Sequence, residues 1–224
     1  MKLAATSLHL AALACAAGLG LAAPAHADGA PSDETARLLQ SHRTERYNVA
    51  SSSASIRAGG GMTAVHAPLA TVRRIVLDYG HYADFMPRFQ KSRIVKKAPG
   101  ATDVYLQVPI LHGAASVWAV TRFGAITREP NGTERLEGKM EGEGNVDDLR
   151  ATWRLVPLDD ETTIVKLELL IVPKLPLPGS LVTGELEYAA DQAVSATRER
   201  AEARTKAAAS AASATPDDAA APQP

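Results

Sequence analysis

The sequence predicts an α+β domain, a curved antiparallel sheet of about seven strands wrapped on a long C-terminal helix, with two short helices after the first strand. Three observations carry that prediction. Runs of alternating apolar and polar residues, the period of a half-buried strand, follow one another closely between residues 91 and 172. A helical stretch of roughly 27 residues, from about Gly179 to Lys206, spans about 40 Å at ~1.5 Å per residue. Sheet and helix each have one apolar face, and packing them together buries both.

Residues 1–27 read as a cleavable leader. Lys2 supplies a short positive start, Leu3 to Ala23 is almost wholly apolar, and Ala25-His26-Ala27 is a small-x-small cleavage pattern. The apolar run is just long enough to span a bilayer. Its Ala and Gly make it weakly hydrophobic, however, and no charge follows to stop transfer. A lipoprotein role for Cys15 is disfavoured by Leu13, one place off the usual position. Cleavage after Ala27 leaves a chain without cysteine, stable in an oxidising compartment without disulfides. The leader looks bacterial, so the expected location is periplasmic or secreted, and Asn131-Gly132-Thr133 reads as a turn rather than a glycosylation acceptor.

Residues 28–54 form a polar, irregular extension, in which Ser32-Asp33-Glu34 caps a short helix through Leu38-Leu39 on the outside of the domain. The domain itself is expected over 55–206. Ile56 to His66 is a first strand, with Gly59-Gly60-Gly61 read as a bulge or bend. Pro68 opens a helix carrying Leu69, Val72, Ile75, Val76 and Tyr79, stopped by Gly80. A second short helix or turn follows through Tyr82–Pro87.

Six strand candidates come next: Lys91–Lys97, Thr102–Leu111, Ala115–Thr127, Thr133–Gly142, Leu149–Leu158 and Thr162–Val172. Asn131-Gly132 signals a tight hairpin turn with positive φ at both positions. The last helix has Val182, Leu186, Ala189, Ala190, Ala193 and Thr197 on its inner face. Small residues there leave space unfilled against the sheet. Residues 207–224 hold only Ala, Ser, Thr, Pro, Asp and Gln and read as a disordered tail.

Several of these segments together resemble one superfamily. Ala67-Pro68-Leu69-Ala70-Thr71-Val72 through Asp78-Tyr79, Tyr82, Phe85 and Pro87 is similar to the entry segment of the START-like, or SRPBCC, helix-grip proteins. Trp153-Arg154-Leu155-Val156-Pro157-Leu158, Thr163-Ile164-Val165 and Pro173 to Val182 resemble the same group, which includes START lipid-transfer domains, polyketide cyclases and coenzyme Q-binding proteins. The resemblance spans about Ser55 to Ala203. It implies a helix-grip fold with a ligand cavity between sheet and helix, and places Pro173–Leu181 and Tyr79–Phe89 near its mouth as a gate. The leader departs from the many relatives that are cytoplasmic or organellar.

The residues themselves argue for binding rather than chemistry. With 24 Lys+Arg against 25 Asp+Glu, the net charge of -1 excludes a nucleic-acid binder built on phosphate contacts. His42, His66, His81 and His112 fall in no catalytic or metal-site spacing, and Asp147-Asp148 and Asp159-Asp160 read as turns. No catalytic residue, metal or cofactor is assigned. The candidate ligand-binding residues are Phe85, Met86, Leu106, Val108, Trp118, Met140 and Trp153, with Leu167, Leu169, Val182, Leu186, Ala189 and Ala193.

The expected function is binding a hydrophobic or amphipathic small molecule, such as a lipid, a sterol- or hopanoid-like molecule or an isoprenoid quinone, for transport or presentation. The protein is expected to be a monomer making transient membrane contact. The alternative is a cyclase- or aromatase-like enzyme in the same cavity, which needs polar groups inside. Ser116, Thr121, Arg122 and Tyr188 would face inward if the register slips by one.

Overall fold

In the computed structural model, which describes residues 32–41, 43–53 and 55–213, the alternating runs become one antiparallel sheet. The elements in order are α1 (Asp33–Ser41), β1 (Glu45–Val49), β2 (Ala58–Val65), α2 (Leu69–Val76), α3 (Tyr82–Phe85), β3 (Lys91–Ala98), β4 (Ala101–Ile110) and β5 (Ala115–Gly124). There follow β6 (Thr127–Arg128), β7 (Glu134–Gly144), β8 (Val146–Pro157), β9 (Thr163–Pro173) and α4 (Gly179–Ser213). The strand order is β1-β2-β9-β8-β7-β5-β4-β3, with β6 on β7, and α4 packs across the sheet in a helix-grip arrangement. Among the described residues no helix is long and apolar enough to cross a membrane. The leader 1–27 lies outside the described residues.

Strand faces follow the period-2 reading. Leu149, Ala151, Trp153 and Leu155 of β8 are all buried, as are Val165 and Leu167 of β9. All but Leu149 join Val72, Ile75 and Val76 of α2 and Ala190, Ala193 and Val194 of α4 in the main core; Leu149 packs in a side cluster with Val117, Ala119 and Val146. Pro68 sits at the N-cap of α2, where a missing N–H does no harm.

The extension is more ordered than its composition implies. Its helix forms as α1, capped by Ser32 Oγ accepting from Thr35 N at 3.3 Å, and Leu38 packs on Met62, Ala64 and Ile164. Residues 45–49, however, make an edge strand, β1, paired residue for residue with β2. Partners distant in sequence order this segment, β2 through the sheet ladder and α4 through side chains such as Asp191, which accepts from Arg46 at 2.7 Å, so no local pattern marks it.

Four further expectations are corrected. The triple glycine is no bulge, since β2 keeps unbroken register with both β1 and β9. The run Ala115–Thr127 breaks at Gly124, and Thr127–Arg128 returns separately as β6. At Asn131-Gly132 only Gly132 takes positive φ, 83°; Asn131 instead accepts from Thr133 N at 3.0 Å, and Gly132 N donates to Glu129 O. That is a longer hairpin loop, with Pro130 fixing its first corner. Asp147 and Asp148 lie in β8 at an irregularity of register between Val146 and Asp148, not in a turn.

The tail also changes. α4 runs to Ser213, seven residues past Lys206, and residues 206–213 are exposed. Alanine has the highest helix propensity, so the established helix continues without burying anything. Residues 214–224 lie outside the described residues.

Candidate functional site: an apolar cavity under the long helix

The glycines of β2 decide where the helix sits. A Cβ on Gly61 would stand 2.8 Å from the Ala190 carbonyl carbon and the Asp191 nitrogen, and one on Gly59 would run into the backbone of Leu186 and Glu187. Helix α4 therefore lies directly on the β2 backbone. Across the rest of the sheet it presents the small side chains of Ala189 and Ala193, and the sheet curves away from it. The result is an apolar cavity with about 800 Å³ of empty space, its mouth included, to which β2 contributes no wall.

Most of the expected ligand-binding residues lie on this wall. Leu106 and Val108 come from β4, Trp153 from β8, Leu167 and Leu169 from β9, Ala189 and Ala193 from α4, and Met86 from the segment after α3. Val182 and Leu186 line a second, adjoining apolar pocket. Arg88, Val108, Val117, Ile171 and Ala189 belong to both walls, so the two chambers share a partition.

Three expected residues are placed differently. Trp118 borders the cavity, but its indole stacks on Tyr105, ring centres 5.7 Å apart. Tyr105 alternates with the buried Val104 and Leu106, so that stack belongs to the outer face of the sheet. Phe85 packs against Tyr82 and lies under the guanidinium of Arg200, 4.5 Å from its ring centre, outside the cavity wall. Met140 sits in a side cluster with Val117, Ala119, Val146 and Leu149. It packs on residues that line the cavity but is not itself on the wall.

Tyr82, Arg88 and Gln192, all polar, also reach the wall; Tyr82 and Arg88 fall in the segment expected at the mouth, but none of the three is among the expected ligand-binding residues. Gln192 shares a helix face with Ala189 and Ala193, and that spacing is the signal that could have found it. Arg88 and Phe89 sit in an irregular segment where no periodicity points anywhere. The Tyr82 hydroxyl is buried and donates to the Val76 carbonyl. Burial, with smaller contributions from Tyr79 and Asp78, pushes its pKa well up, so it holds its proton. Among the described residues, no carboxylate or imidazole lines the main cavity.

The polar groups weighed for an enzyme scatter. Thr121 does face inward and is fully buried, with no partner for its hydroxyl. Arg122 points the other way, into Asp103 at 2.7 Å and Glu141 at 2.6 Å. Ser116 meets Gln90 on an exposed face, and Tyr188 is 37% exposed on α4. His81 pairs with Asp78 at 2.5 Å, and that hydrogen bond raises its pKa. Among the described residues, no group of three or more His, Cys, Asp or Glu gathers into a metal site.

The segments expected at the mouth do border the space. Tyr82 and Met86–Phe89 line the main cavity, and Pro173, Leu177 and Leu181 line the second chamber.

Solved structures share this architecture. A STAR-related lipid transfer protein fragment from Xanthomonas axonopodis matches with a TM-score of 0.60 at 16% identity, over 70% of this chain and 92% of its own. Human StAR-related lipid transfer protein 5 matches with a TM-score of 0.62 at 11% identity, over 73% and 84%. The Zhui aromatase/cyclase from Streptomyces sp. R1128 gives 0.51 at 18% identity, over 76% and 98%. No curated protein sequence shows significant similarity to the chain. Residues 65–198, from the end of β2 through most of α4, match the family model described as polyketide cyclase / dehydrase and lipid transport, and the chain belongs to that family.

Proposed function

We propose that this protein binds a hydrophobic or amphipathic small molecule in the cavity between sheet and α4, and carries or presents it outside the cytoplasm. The observation that carries the reading is the apolar wall, built from β4, β5, β8, β9 and α4, around a void that the protein's own side chains leave open. Burial of a ligand's apolar surface there is worth about 25 cal/mol per Å². A lipid, a sterol- or hopanoid-like molecule and an isoprenoid quinone all have suitable bodies. Export follows from the leader 1–27, and transient membrane contact by a monomer from the need to load and unload such a ligand.

The cyclase-like alternative is favoured by one observation, the three polar side chains Tyr82, Arg88 and Gln192 on the wall. Proton transfer needs groups poised near the working pH, and a buried tyrosine whose proton is donated to a carbonyl is not one. Carrier binding is therefore preferred.

The test is native mass spectrometry of the protein purified from its own cells, followed by organic extraction of whatever it holds. A stoichiometric lipid or isoprenoid supports the reading and names the ligand class. An empty protein that also takes up no fluorescent apolar probe overturns it. The same spectrum reads the mass of the secreted form, which begins at Asp28 if the leader is cleaved as proposed.

A further inference from the structure

Strand β3 is an edge of the sheet, paired only with β4, and every residue of Lys91–Ala98 except Ser92 is exposed. Its charge is one-sided. Residues 85–102 carry Arg88, Lys91, Arg93, Lys96 and Lys97 and no Asp or Glu, in a chain whose net charge is -1. Arg88 is paired with Glu185 at 2.8 Å, and Arg93 lies over the Tyr105 ring, 5.1 Å from its centre. Among the described residues, Lys91, Lys96 and Lys97 are in no ion pair. The carboxylate opposite Lys96 on the ladder, Asp103, is held through both oxygens by Arg122, at 2.7 and 2.9 Å.

Apolar side chains are interleaved with these cations. The register with β4 shifts between Ile94 and Lys96, so Val95 is an extra residue in β3, and Ile94 and Val95 are 38% and 42% exposed. The shift puts Lys96 on the face of Asp103, opposite to Ile94, and returns Lys97 to the side of Ile94. Cations therefore project from both faces of the edge. Leu77, just past α2 and 38% exposed, lines one open groove with Ile94, Lys97 and Ile126.

Guarding a free edge against strand addition accounts for the lysines but not for an exposed isoleucine and valine between them. A second copy paired on this edge would set like charges against one another and meet the bulge. A nucleic acid would engage the cations and leave the apolar side chains in water. An anionic bilayer uses both, its phosphates drawing the cations while the apolar side chains enter the boundary between head groups and acyl chains. β3 also begins two residues after Phe89, which lines the main cavity, so docking there brings the cavity mouth to the lipid.

We infer that the β3 edge, with Leu77 beside it, is the surface by which this protein docks on an anionic phospholipid bilayer. This rests on the membrane contact proposed above and names its surface and the charge of the lipid it selects.

The test is co-sedimentation of the protein, purified from its own cells, with vesicles of phosphatidylcholine alone and of phosphatidylcholine with about one third phosphatidylglycerol. Binding is expected to be about tenfold tighter or more on the anionic vesicles. It should fade between about 0.1 M and 1 M salt, as the screening length falls from ~10 Å to ~3 Å. Lys96→Gln with Lys97→Gln is expected to weaken it by about thirtyfold, the effect of two cations at an anionic surface. Lys139→Gln with Arg150→Gln removes the same charge from exposed positions on β7 and β8 and is expected to leave it unchanged. Ile94→Thr with Val95→Thr keeps the β-branched shape and is expected to weaken binding about tenfold without altering its salt dependence. Circular dichroism checks that each variant is folded, and uptake of an apolar fluorescent probe is read in the same samples.

Wild-type protein that ignores the anionic vesicles overturns both the docking surface and the membrane contact, while probe uptake decides the cavity separately. Binding that survives the loss of Lys96 and Lys97, or falls equally with Lys139 and Arg150, overturns the assignment to β3 and leaves membrane contact standing. Binding untouched by the change at Ile94 and Val95 overturns their insertion. A dimer formed without vesicles, and dissociated by that same change, gives the edge to a second copy and overturns the proposal.

Discussion

Replacing Gly61 by alanine tests whether the β2 glycines seat the helix. The backbone at Gly61 is ordinary extended strand, which alanine adopts freely, and the loss of unfolded-state freedom would by itself stabilise the fold by about 0.4–1 kcal/mol. The new Cβ, however, would stand 2.8 Å from the Ala190 carbonyl carbon and the Asp191 nitrogen, and 3.0 Å from the Ala190 oxygen. Those atoms are helix backbone and cannot rotate away. Restoring contact at 3.4 Å requires α4 to retreat by about 0.6 Å over β2, carrying the fully buried Ala190 with it.

Overpacking of this kind costs about 1–3 kcal/mol, so the net expectation is destabilisation of about 1–2 kcal/mol. Gly59→Ala should cost more, because its Cβ falls 2.7 Å from Leu186 Cβ and closer still to the backbone beside it. Gly184→Ala is the internal control. It lies exposed in α4 with nothing within 4 Å, and should stabilise by about 0.5–1 kcal/mol. Urea unfolding followed by circular dichroism reads all three. If Gly61→Ala and Gly59→Ala unfold at or above the wild-type midpoint, close seating of the helix on glycine is refuted.

Other perturbations reach the wall and the shell around it. Ala189 borders both chambers, so Ala189→Phe is expected to lower probe affinity by about tenfold or more while unfolding stays cooperative; unchanged uptake would place the ligand elsewhere. Trp153 is 2% exposed on the cavity wall, and Trp153→Ala should cost about 3–5 kcal/mol, measured by urea midpoint and slope. Glu134 is buried between Arg73 at 2.5 Å and Arg128 at 2.6 Å. Burial raises its pKa, but the two arginines outweigh that and hold it below the usual carboxylate range. Its stabilising contribution is therefore complete above the unfolded carboxylate pKa of ~4.3 and is lost as pH falls through the lower folded value. Glu134→Gln should cost roughly 3 kcal/mol at neutral pH, with the gap to wild type shrinking once the pH drops below that range; a gap independent of pH would count against the ion pair.

Alternation determined the strands and their faces: the buried set Leu149, Ala151, Trp153 and Leu155 is legible because side chains on a strand repeat every two residues. The same holds for the small inner face of α4, where Ala189 and Ala193 recur at helical spacing and announce a void. Those two patterns, with the motifs around Pro68 and Trp153, were enough for the family and for part of the cavity wall. Tertiary structure decided what neither period encodes. Gly59 and Gly61 looked like a bend because glycine's local meaning is conformational, whereas here their use is to admit a helix about 130 residues further along the chain. Trp118 does border the cavity, but its indole stacks on Tyr105, its neighbour across the sheet, a contact that no sequence period encodes. Arg88 has no period at all. Its place at the partition follows only from where Pro109, Glu185 and Tyr188 meet, three residues that the chain separates and the curved sheet and its helix bring together.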